Sequence, residues 1–472
     1  MCYRSRRSAN SAQLWISKLI KQRNQVEHHD IPLSAEADEV LDLICIGFGP
    51  ASLAIAIALK ERNDTFYGPN PRVSFLERQA QFAWHSGMQL PGAKMQISFL
   101  KDLATPRNPQ SRFSFLNYLY RQDRLNQFIN LGTFLPTRLE YEDYLRWCAS
   151  YFEKQGIVSY DQEVVEVSPN ITSPNSKVGQ FRVVSRDSKT GDVSVRVARH
   201  VVIAVGGKPM LPKEFPVDHP AVIHSSRYST KVSDALPDTM KPYHIAVVGS
   251  GQSAAEIFND LPSRYPNAKV TLIIKGTSLR PSDDSPFVNE IFDPDRVDAI
   301  YSQAEELRAQ SIAKDRATNY SVVRLDLLEH LYQRLYMQRL QTPDPENWKL
   351  HIKSNRQVAN IESLETGRLL LKLKTVVGNG SEEAGEEVAF HAVFVATGYI
   401  RNAHEEIMKN TQPLMRNYPD CCQDRLRFPV RRDYKVDFDE EKVERDAGIW
   451  LQGCNEKTHG VRLKPSVEFG FY

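Results

Sequence analysis

The sequence has few cysteines, no long apolar run and almost no net charge. Six cysteines (Cys2, Cys45, Cys148, Cys421, Cys422 and Cys454) in 472 residues are too few for a disulfide scaffold, and none are spaced as C-x-x-C, so they indicate a reducing compartment and no bound metal. No stretch of about 18 apolar residues is present to span a bilayer. The 60 Lys and Arg residues against 58 Asp and Glu argue against a nucleic-acid partner.

Residues 1–40 are basic before the first acid, Glu27, and they lack the apolar core of a secretory signal. This Arg- and Ser-containing composition is typical of a disordered basic tail or of a mitochondrial transit peptide. We favour the tail because the apolar stretch 14–20 is short. The predicted location is therefore cytoplasmic, with a mitochondrial location as the alternative.

Two segments of the chain follow a strand, glycine loop and helix pattern. The run LDLICI (41–46) leads into GFGPAS (47–52), and the run 244–248 leads into GSGQSA (249–254). In such a loop the first glycine makes the tight turn, and the second lets the backbone approach a pyrophosphate at the helix N-terminus. The sequence therefore predicts two dinucleotide sites, with Gly47, Gly49 and Ser52 in the first and Gly249 and Gly251 in the second.

The residue after the next strand distinguishes the two nucleotides. The strand 73–76 ends in Glu77, an acid suited to a ribose hydroxyl, as in the adenosine half of FAD. Its distance from the loop exceeds the usual ~20 residues, and the polar insert 63–72 accounts for the excess. In the second copy Lys275 follows the strand 270–274, and a cation there suits the 2′-phosphate of NADPH. Either residue could instead be a solvated surface side chain.

FAD together with NADPH predicts a flavin oxidoreductase. A pyridine-nucleotide disulfide reductase needs a cysteine pair beside the flavin, and this chain has only the adjacent Cys421 and Cys422, in a segment without a glycine loop. The remaining common use of both cofactors is activation of dioxygen, with transfer of one oxygen atom to a nucleophile.

Several further segments carry a family resemblance that covers about residues 41–460. They are FAWHSGM (82–88), MQISFLKDL (95–103), RPSDDSPFVNEIF (280–292), NYS (319–321), ATGY (396–399) and NEKTHG (455–460). Together they closely resemble the fungal L-ornithine N(5)-monooxygenases of siderophore biosynthesis. The resemblance implies hydroxylation of the side-chain amine of L-ornithine by O2. The family is often tetrameric, so a homotetramer is also expected.

The resemblance also implies roles for individual residues. It assigns Lys101 to the substrate carboxylate and Asn289 to the α-amino and carboxylate groups, which suits a fixed cation and an amide. Asn319 and Gln96 are the expected catalytic residues, Asn319 contacting NADP and the reacting amine and Gln96 the flavin. The further cofactor-binding residues are Trp84 and His85 for the flavin, Gln252, Ser253 and Lys275 for NADP, and Ser321. The structural alternatives are a core position for Trp84, a surface position for Lys101 and a helix cap for Asn289.

The sequence departs from the family after Gly460. The family usually continues with a segment that packs on the flavin, whereas residues 461–472 read VRLKPSVEFGFY and include Pro465, which would interrupt a helix. A catalytically impaired nucleotide-binding relative is therefore one alternative function. L-lysine N(6)-hydroxylation is the other, because one methylene changes binding by only ~1–3 kcal/mol.

The expected fold is α/β, with two Rossmann-like dinucleotide-binding domains. We predict an FAD-binding domain from residues 41–240 and 390–472, interrupted by an NADP-binding domain from 241–389. A helical segment at about 281–335 is expected to form the substrate wall between them.

Overall fold

The computed structural model describes residues 40–65, 69–171, 173, 176–216, 218–376, 385–416 and 428–460. The predicted basic tail lies outside these residues except for Val40, and so do Cys421, Cys422 and the divergent segment 461–472. Within these ranges, no helix is both long enough and apolar enough to cross a membrane.

Seventeen strands occur in the described part of the chain. They are β1 (Leu41–Ile46), β2 (Val73–Leu76), β3 (Val158–Ser159), β4 (Gln162–Pro169), β5 (Phe181–Asp187), β6 (Val193–Ile203), β7 (Lys208–Pro209), β8 (Val222–His224), β9 (His244–Val248), β10 (Lys269–Ile273), β11 (Leu350–Lys353), β12 (Arg356–Ser363), β13 (Leu369–Thr375), β14 (Glu386–Phe390), β15 (Ala392–Val395), β16 (Tyr399–Ile400) and β17 (Gly448–Leu451).

The described residues also form twelve α-helices. They are α1 (Pro50–Thr65), α2 (Phe115–Arg121), α3 (Leu125–Asn130), α4 (Arg138–Glu153), α5 (Tyr228–Ala235), α6 (Gln252–Arg264), α7 (Pro286–Asn289), α8 (Arg296–Tyr301), α9 (Glu305–Asn319), α10 (Leu325–Gln341), α11 (Ala403–Ile407) and α12 (Glu456–His459).

The first large sheet places the first glycine loop at its centre. Its strands run in the order β3-β2-β1-β6, and β17 also pairs with β6 in parallel. The antiparallel strands β5 and β4 extend the sheet beyond β6. β1 is buried along its last four residues, and α1 is buried from Ala51 to Leu59, because helices cover a parallel sheet on its faces.

The second sheet is parallel throughout, in the order β11-β10-β9-β15-β8. The apolar side chains of α6 and α10 cover one face, and the three-stranded antiparallel sheet β12-β13-β14 packs against the other. This arrangement of two nucleotide-binding sheets confirms the α/β class predicted from the sequence.

The second sheet extends beyond the predicted limits of the NADP-binding domain, 241–389. Strands β8 and β15 flank the segment and both pair within this sheet, β15 directly with β9. The second sheet therefore draws its strands from residues 222–395. Just outside this range, β7 pairs with β16 in a two-stranded ribbon. Such short strands carry too few residues for a sequence pattern to show which sheet recruits them.

The segment predicted as a helical wall, 281–335, contains α7, α8, α9 and the first part of α10. Backbone bonds tie its beginning to its end: the Ser282 N–H donates to the Val323 carbonyl at 2.9 Å and the Asp283 N–H to the Thr318 carbonyl at 3.2 Å. The loop that leads into α7, which ends in Asn289, and the end of α9 are thereby held side by side.

Candidate active site

The first glycine loop lies at the carboxyl end of β1, between β2 and β6. Gly47 has φ +88°, and a Cβ there would lie 2.7 Å from the Ala204 carbonyl oxygen, so only glycine fits without displacing the backbone. Gly49, in contrast, faces open space, with nothing within 4 Å of an added Cβ. The first glycine thus packs on the neighbouring strand end, and the second leaves room for a ligand.

Glu77 lies beside this loop, at the end of β2, and is buried. The Phe48 N–H donates to its Oε2 at 2.7 Å and the Gln79 N–H donates to its Oε1 at 3.0 Å. These bonds orient the carboxylate at the glycine loop, where a ribose hydroxyl would donate to it.

Ser52 provides a test of whether this loop suits a phosphate-bearing cofactor. Its Oγ is fully buried and has no hydrogen-bond partner among the described residues. It lies in the first turn of α1, which contains no acid and whose N–H groups favour an anion. A buried hydroxyl without a partner is rare in proteins, and a diphosphate at the loop would supply an acceptor. The residues present therefore fit FAD.

Trp84 and His85 connect this region to the second domain. Trp84 is buried in the main core, with its ring 5.9 Å from that of Tyr141 and 4.9 Å from that of His85. His85 has φ +47° and its ring lies 6.4 Å from Tyr399, which follows the last strand of the second sheet. Trp84 therefore packs in the core, and its contact with the flavin stays a prediction.

The second glycine loop repeats the geometry of the first. Gly249 has φ +137° and packs against the Ala396 carbonyl oxygen at the end of β15, as Gly47 packs against Ala204 at the end of β6. A Cβ on Gly251 would lie 3.4 Å from the Cα of Ser321, so the segment after α9 covers this loop. Lys275 is exposed just beyond β10, beside the strand that carries the loop.

Gln252 and Ser253 begin helix α6, whose first turn contains no acid. The Gln252 side chain uses both ends of its amide within the protein: its Oε1 accepts from the Arg324 N–H at 2.9 Å and its Nε2 donates to Glu256 Oε1 at 2.9 Å. Ser253 is half-buried at the second helical position, where backbone N–H groups lack partners inside the helix.

Asn319 ends α9 beside this loop. Its Nδ2 is buried and has no hydrogen-bond partner among the described residues, which fits a donor that meets a cofactor or substrate. The next residue, Tyr320, donates through its hydroxyl to Glu456 Oε2 at 3.1 Å, and burial raises its pKa to about 12. Ser321 follows with φ +59°, a conformation that turns the chain over the glycine loop.

Lys101 and Asn289 approach the same region from two different segments. Lys101 Nζ lies 3.6 Å from Asp293 Oδ1, with both side chains partly exposed. Asn289 is half-buried at the end of α7 and donates through Nδ2 to the Asp284 carbonyl at 2.9 Å, which leaves its Oδ1 as an acceptor. The ion pair links the predicted carboxylate-binding lysine to the turn that follows Asn289.

Gln96 is joined to the NADP side through its neighbour. Arg324 donates through Nη1 to the Met95 carbonyl at 3.2 Å, and its own N–H is the donor to Gln252. Gln96 itself is half-buried and makes no hydrogen bond in the described part of the chain. The predicted flavin and NADP residues are therefore adjacent in the fold.

Four residues of this region were not predicted from the sequence: Arg138, which forms an ion pair with Glu256, together with Glu256 itself, Asp293 and Arg324. Glu256 carried the clearest signal, because it lies among the apolar residues of α6 and four positions after Gln252, on the same helix face. The other three contact residues that are distant in the sequence, and sequence spacing does not reveal such contacts.

Comparisons with known proteins agree on one chemistry. Residues 39–401 match the model of the family described as L-lysine 6-monooxygenase/L-ornithine 5-monooxygenase. The L-ornithine N(5)-monooxygenase of Aspergillus oryzae is 52% identical over 90% of this chain and 85% of its own length.

Solved structures give the same result. The ornithine hydroxylase PvdA of Pseudomonas aeruginosa matches with a TM-score of 0.79 at 36% identity, over 91% of this chain and 95% of its own. The ornithine N-hydroxylase KtzI of Kutzneria, solved with reduced FAD, NADP+ and L-ornithine, has the same TM-score at 32% identity over 91% and 95%.

Proposed function

This chain belongs to the L-lysine 6-monooxygenase/L-ornithine 5-monooxygenase family, and we propose that it hydroxylates the side-chain amine of L-ornithine with FAD, NADPH and O2. The product is N(5)-hydroxy-L-ornithine, a building block for hydroxamate siderophores. The observation that carries the proposal is the identity of about half of all positions with a protein of that activity. The two glycine loops would provide the two nucleotide sites that the reaction requires.

We propose that the α-amino and α-carboxylate groups of ornithine are bound between Lys101, Asp293 and Asn289. The Lys101 ammonium and the Asp293 carboxylate lie 3.6 Å apart. This pair of opposite charges complements the α-carboxylate and α-ammonium groups of ornithine, which are attached to the same carbon atom. Lys101 would hold the carboxylate and Asp293 the ammonium, and Asn289 Oδ1 offers a further acceptor. In the ligand-free protein the two charged side chains neutralise each other.

The side-chain amine would reach toward Asn319, at the end of α9. The Asn319 amide can orient a neutral amine through its donor and acceptor atoms. When bound, FAD that has been reduced by NADPH supplies the activated oxygen atom. Gln96, Trp84 and His85 would lie against the flavin and exclude water from it.

Activity should rise with pH. An ornithine side-chain amine has an ordinary pKa near ~10, and only its neutral form carries a free electron pair. A dry site favours the neutral form, so the apparent pKa in kcat, which reports the enzyme–substrate complex at saturating ornithine, should lie below that of the free amine. Initial rates of hydroxylated product at saturating NADPH and ornithine, from pH 7 to 9, test this, and a flat profile would contradict it.

The decisive experiment measures the absorbance spectrum and the product together. Purified protein should be yellow, consume NADPH and convert ornithine to N(5)-hydroxyornithine stoichiometrically. Lysine offered at the same concentration should give less hydroxylated product. Colourless protein, or NADPH consumption that yields only hydrogen peroxide in the presence of ornithine, would favour the impaired relative instead.

The compartment and the assembly remain predictions from the sequence. We propose a cytoplasmic location from the composition of the chain. We also propose a homotetramer, because the family is often tetrameric. Light scattering of the purified protein and fractionation of cells measure the two properties directly.

A further inference from the structure

A buried ion pair joins the two nucleotide-binding parts of the chain. Arg138 opens helix α4 in the FAD part, and Glu256 lies on helix α6 in the NADP part. Arg138 Nη2 donates to Glu256 Oε1 at 2.6 Å and Nη1 donates to Oε2 at 2.9 Å, which makes the pair bidentate. Their side chains are only 13% and 7% exposed, so water screens this pair weakly.

The ion pair is part of a longer chain of hydrogen bonds. Glu256 Oε1 also accepts from Gln252, the first residue of α6, and Gln252 accepts from the Arg324 N–H. Arg138 Nη1 donates to the Met88 carbonyl at 2.8 Å, and Arg324 donates to the Met95 carbonyl. Both ends of the network therefore reach the flavin-side segment that runs from Met88 to Met95.

We propose that Arg138 and Glu256 are positioning residues of the NADPH site. Through Gln252 they hold the first turn of α6 at a defined place relative to the flavin-side segment. The proposal rests on the function proposed above. In this proposal Gln252 orients the first turn of α6, because both ends of its side-chain amide already form hydrogen bonds within the protein.

The physical reason lies in how a helix binds phosphate. The N–H groups of the first turn must point at the phosphate oxygens, and a shift of about 1 Å at such a site can cost a large part of the binding or the rate. Gln252 is the first residue of that turn, and without Glu256 its Nε2 loses its acceptor. On the flavin side, the network ends at the backbone carbonyls of Met88 and Met95, and the position of the turn is set relative to these groups.

A double substitution tests the proposal without leaving a buried charge unpaired. Replacing a buried ion pair by apolar residues of similar size is often neutral for stability. The variant Arg138→Met/Glu256→Met should therefore fold and retain FAD, while Gln252 loses its acceptor. The readout is the dissociation constant of NADP+ for the oxidised, FAD-loaded protein, measured by titration calorimetry, together with flavin content and ornithine affinity.

The matched control is a second buried pair that lies wholly within the FAD part. Arg107 Nη2 donates to Glu61 Oε2 at 2.8 Å, and these side chains are 10% and 18% exposed. Arg107→Met/Glu61→Met removes a pair of comparable burial that has no bond to α6 in the described residues.

We expect NADP+ to bind at least fivefold more weakly to the Arg138→Met/Glu256→Met variant, with ornithine affinity and flavin content within twofold of the wild type. The control variant should bind NADP+ like the wild type. The single variant Glu256→Met should also bind NADP+ more weakly, although it leaves a positive charge near the phosphate site.

Three results would overturn the proposal. One is wild-type NADP+ affinity in the double variant, and another is an equal loss in the control variant. The third is unchanged or tighter binding by Glu256→Met, which would show that the pair acts through its charge alone. A wild-type protein that fails to bind NADP+ would overturn the proposed function as well, whereas the three results above concern the ion pair only.

Discussion

Lys101 illustrates how one side chain can be assigned at the scale of a residue. The Lys101 side chain is 37% exposed, as the surface alternative predicted, yet its ammonium group lies 3.6 Å from Asp293, four residues after Asn289. Two segments that are almost 200 residues apart in the sequence are thereby joined by one ion pair. A spacing argument could not have found Asp293, since the pair depends on the fold.

Replacing Lys101 by Ala should raise the KM for ornithine by an order of magnitude or more, because the carboxylate loses a charge-assisted bond worth roughly 1.5–3 kcal/mol. Flavin content should not change. Steady-state kinetics with ornithine provides the measurement. The diamine 1,4-diaminobutane, which lacks the carboxylate, is the control, and an equal loss with this compound would remove Lys101 from carboxylate binding.

Lys275 is the second residue whose charge defines a specificity. It is exposed at the end of the strand beside the NADP loop, where the 2′-phosphate of NADPH would lie. Lys275→Ala should raise the KM for NADPH far more than that for NADH, since only NADPH carries that phosphate. Rates of ornithine hydroxylation with each nucleotide provide the test, and equal losses would contradict the assignment.

At the scale of the element, the two glycine loops show where glycine is required by neighbouring protein atoms and where it is required by the ligand. Gly47 and Gly249 pack against carbonyl oxygens at the ends of neighbouring strands, so they are required for the fold. Gly49 faces open space in the ligand-free protein. We therefore expect the requirement for glycine at this position to come from the nucleotide.

Gly49→Ala should therefore give folded protein that has lost FAD. The added methyl group meets no protein atom within 4 Å, but it would occupy the space into which a pyrophosphate must come. Circular dichroism should match the wild type while the ratio of flavin to protein absorbance falls several-fold. Full flavin content in this variant would show that the phosphate does not approach this residue.

Buried histidines affect the stability of the whole molecule. His200 lies in β6 beside β17, with its ring 5.3 Å from that of Trp450. Burial, reinforced by the charges of Lys435 and Arg199, lowers its pKa to about 3. Burial and the charge of Lys457 lower the pKa of His404 to about 4. Both rings are therefore neutral in the folded protein at pH values where the unfolded chain already binds a proton.

Stability should therefore fall as the pH drops below the unfolded-state pKa of 6.5. The loss should continue down to the folded-state values near 3 and 4, and at pH 5 it amounts to about 2 kcal/mol for each histidine. The difference in melting temperature between pH 7 and pH 5 measures this effect. His200→Gln removes one of the two groups and should reduce the difference, even if it also lowers the melting temperature at pH 7. An undiminished difference would show that His200 is not responsible.

The sequence by itself determined the parts of this protein that depend on local order. Strands 41–46, 73–76 and 244–248 were predicted at their observed limits, because strand, glycine turn and helix follow one another without interruption. The family and its chemistry were also evident, since they depend on short motifs that remain contiguous in the chain. The roles of Gln96, Lys101, Asn289 and Asn319 stay predictions that the variants above can test.

Only the tertiary structure decided which segments meet. It placed β8 and β15 in the second sheet, paired Lys101 with Asp293, and connected Arg138 to Glu256 across the two nucleotide-binding parts. These contacts join residues that are separated by more than a hundred positions in each case. Hydrophobic periodicity and motif spacing describe neighbours along the chain, whereas such pairings follow from the packing of whole sheets and helices.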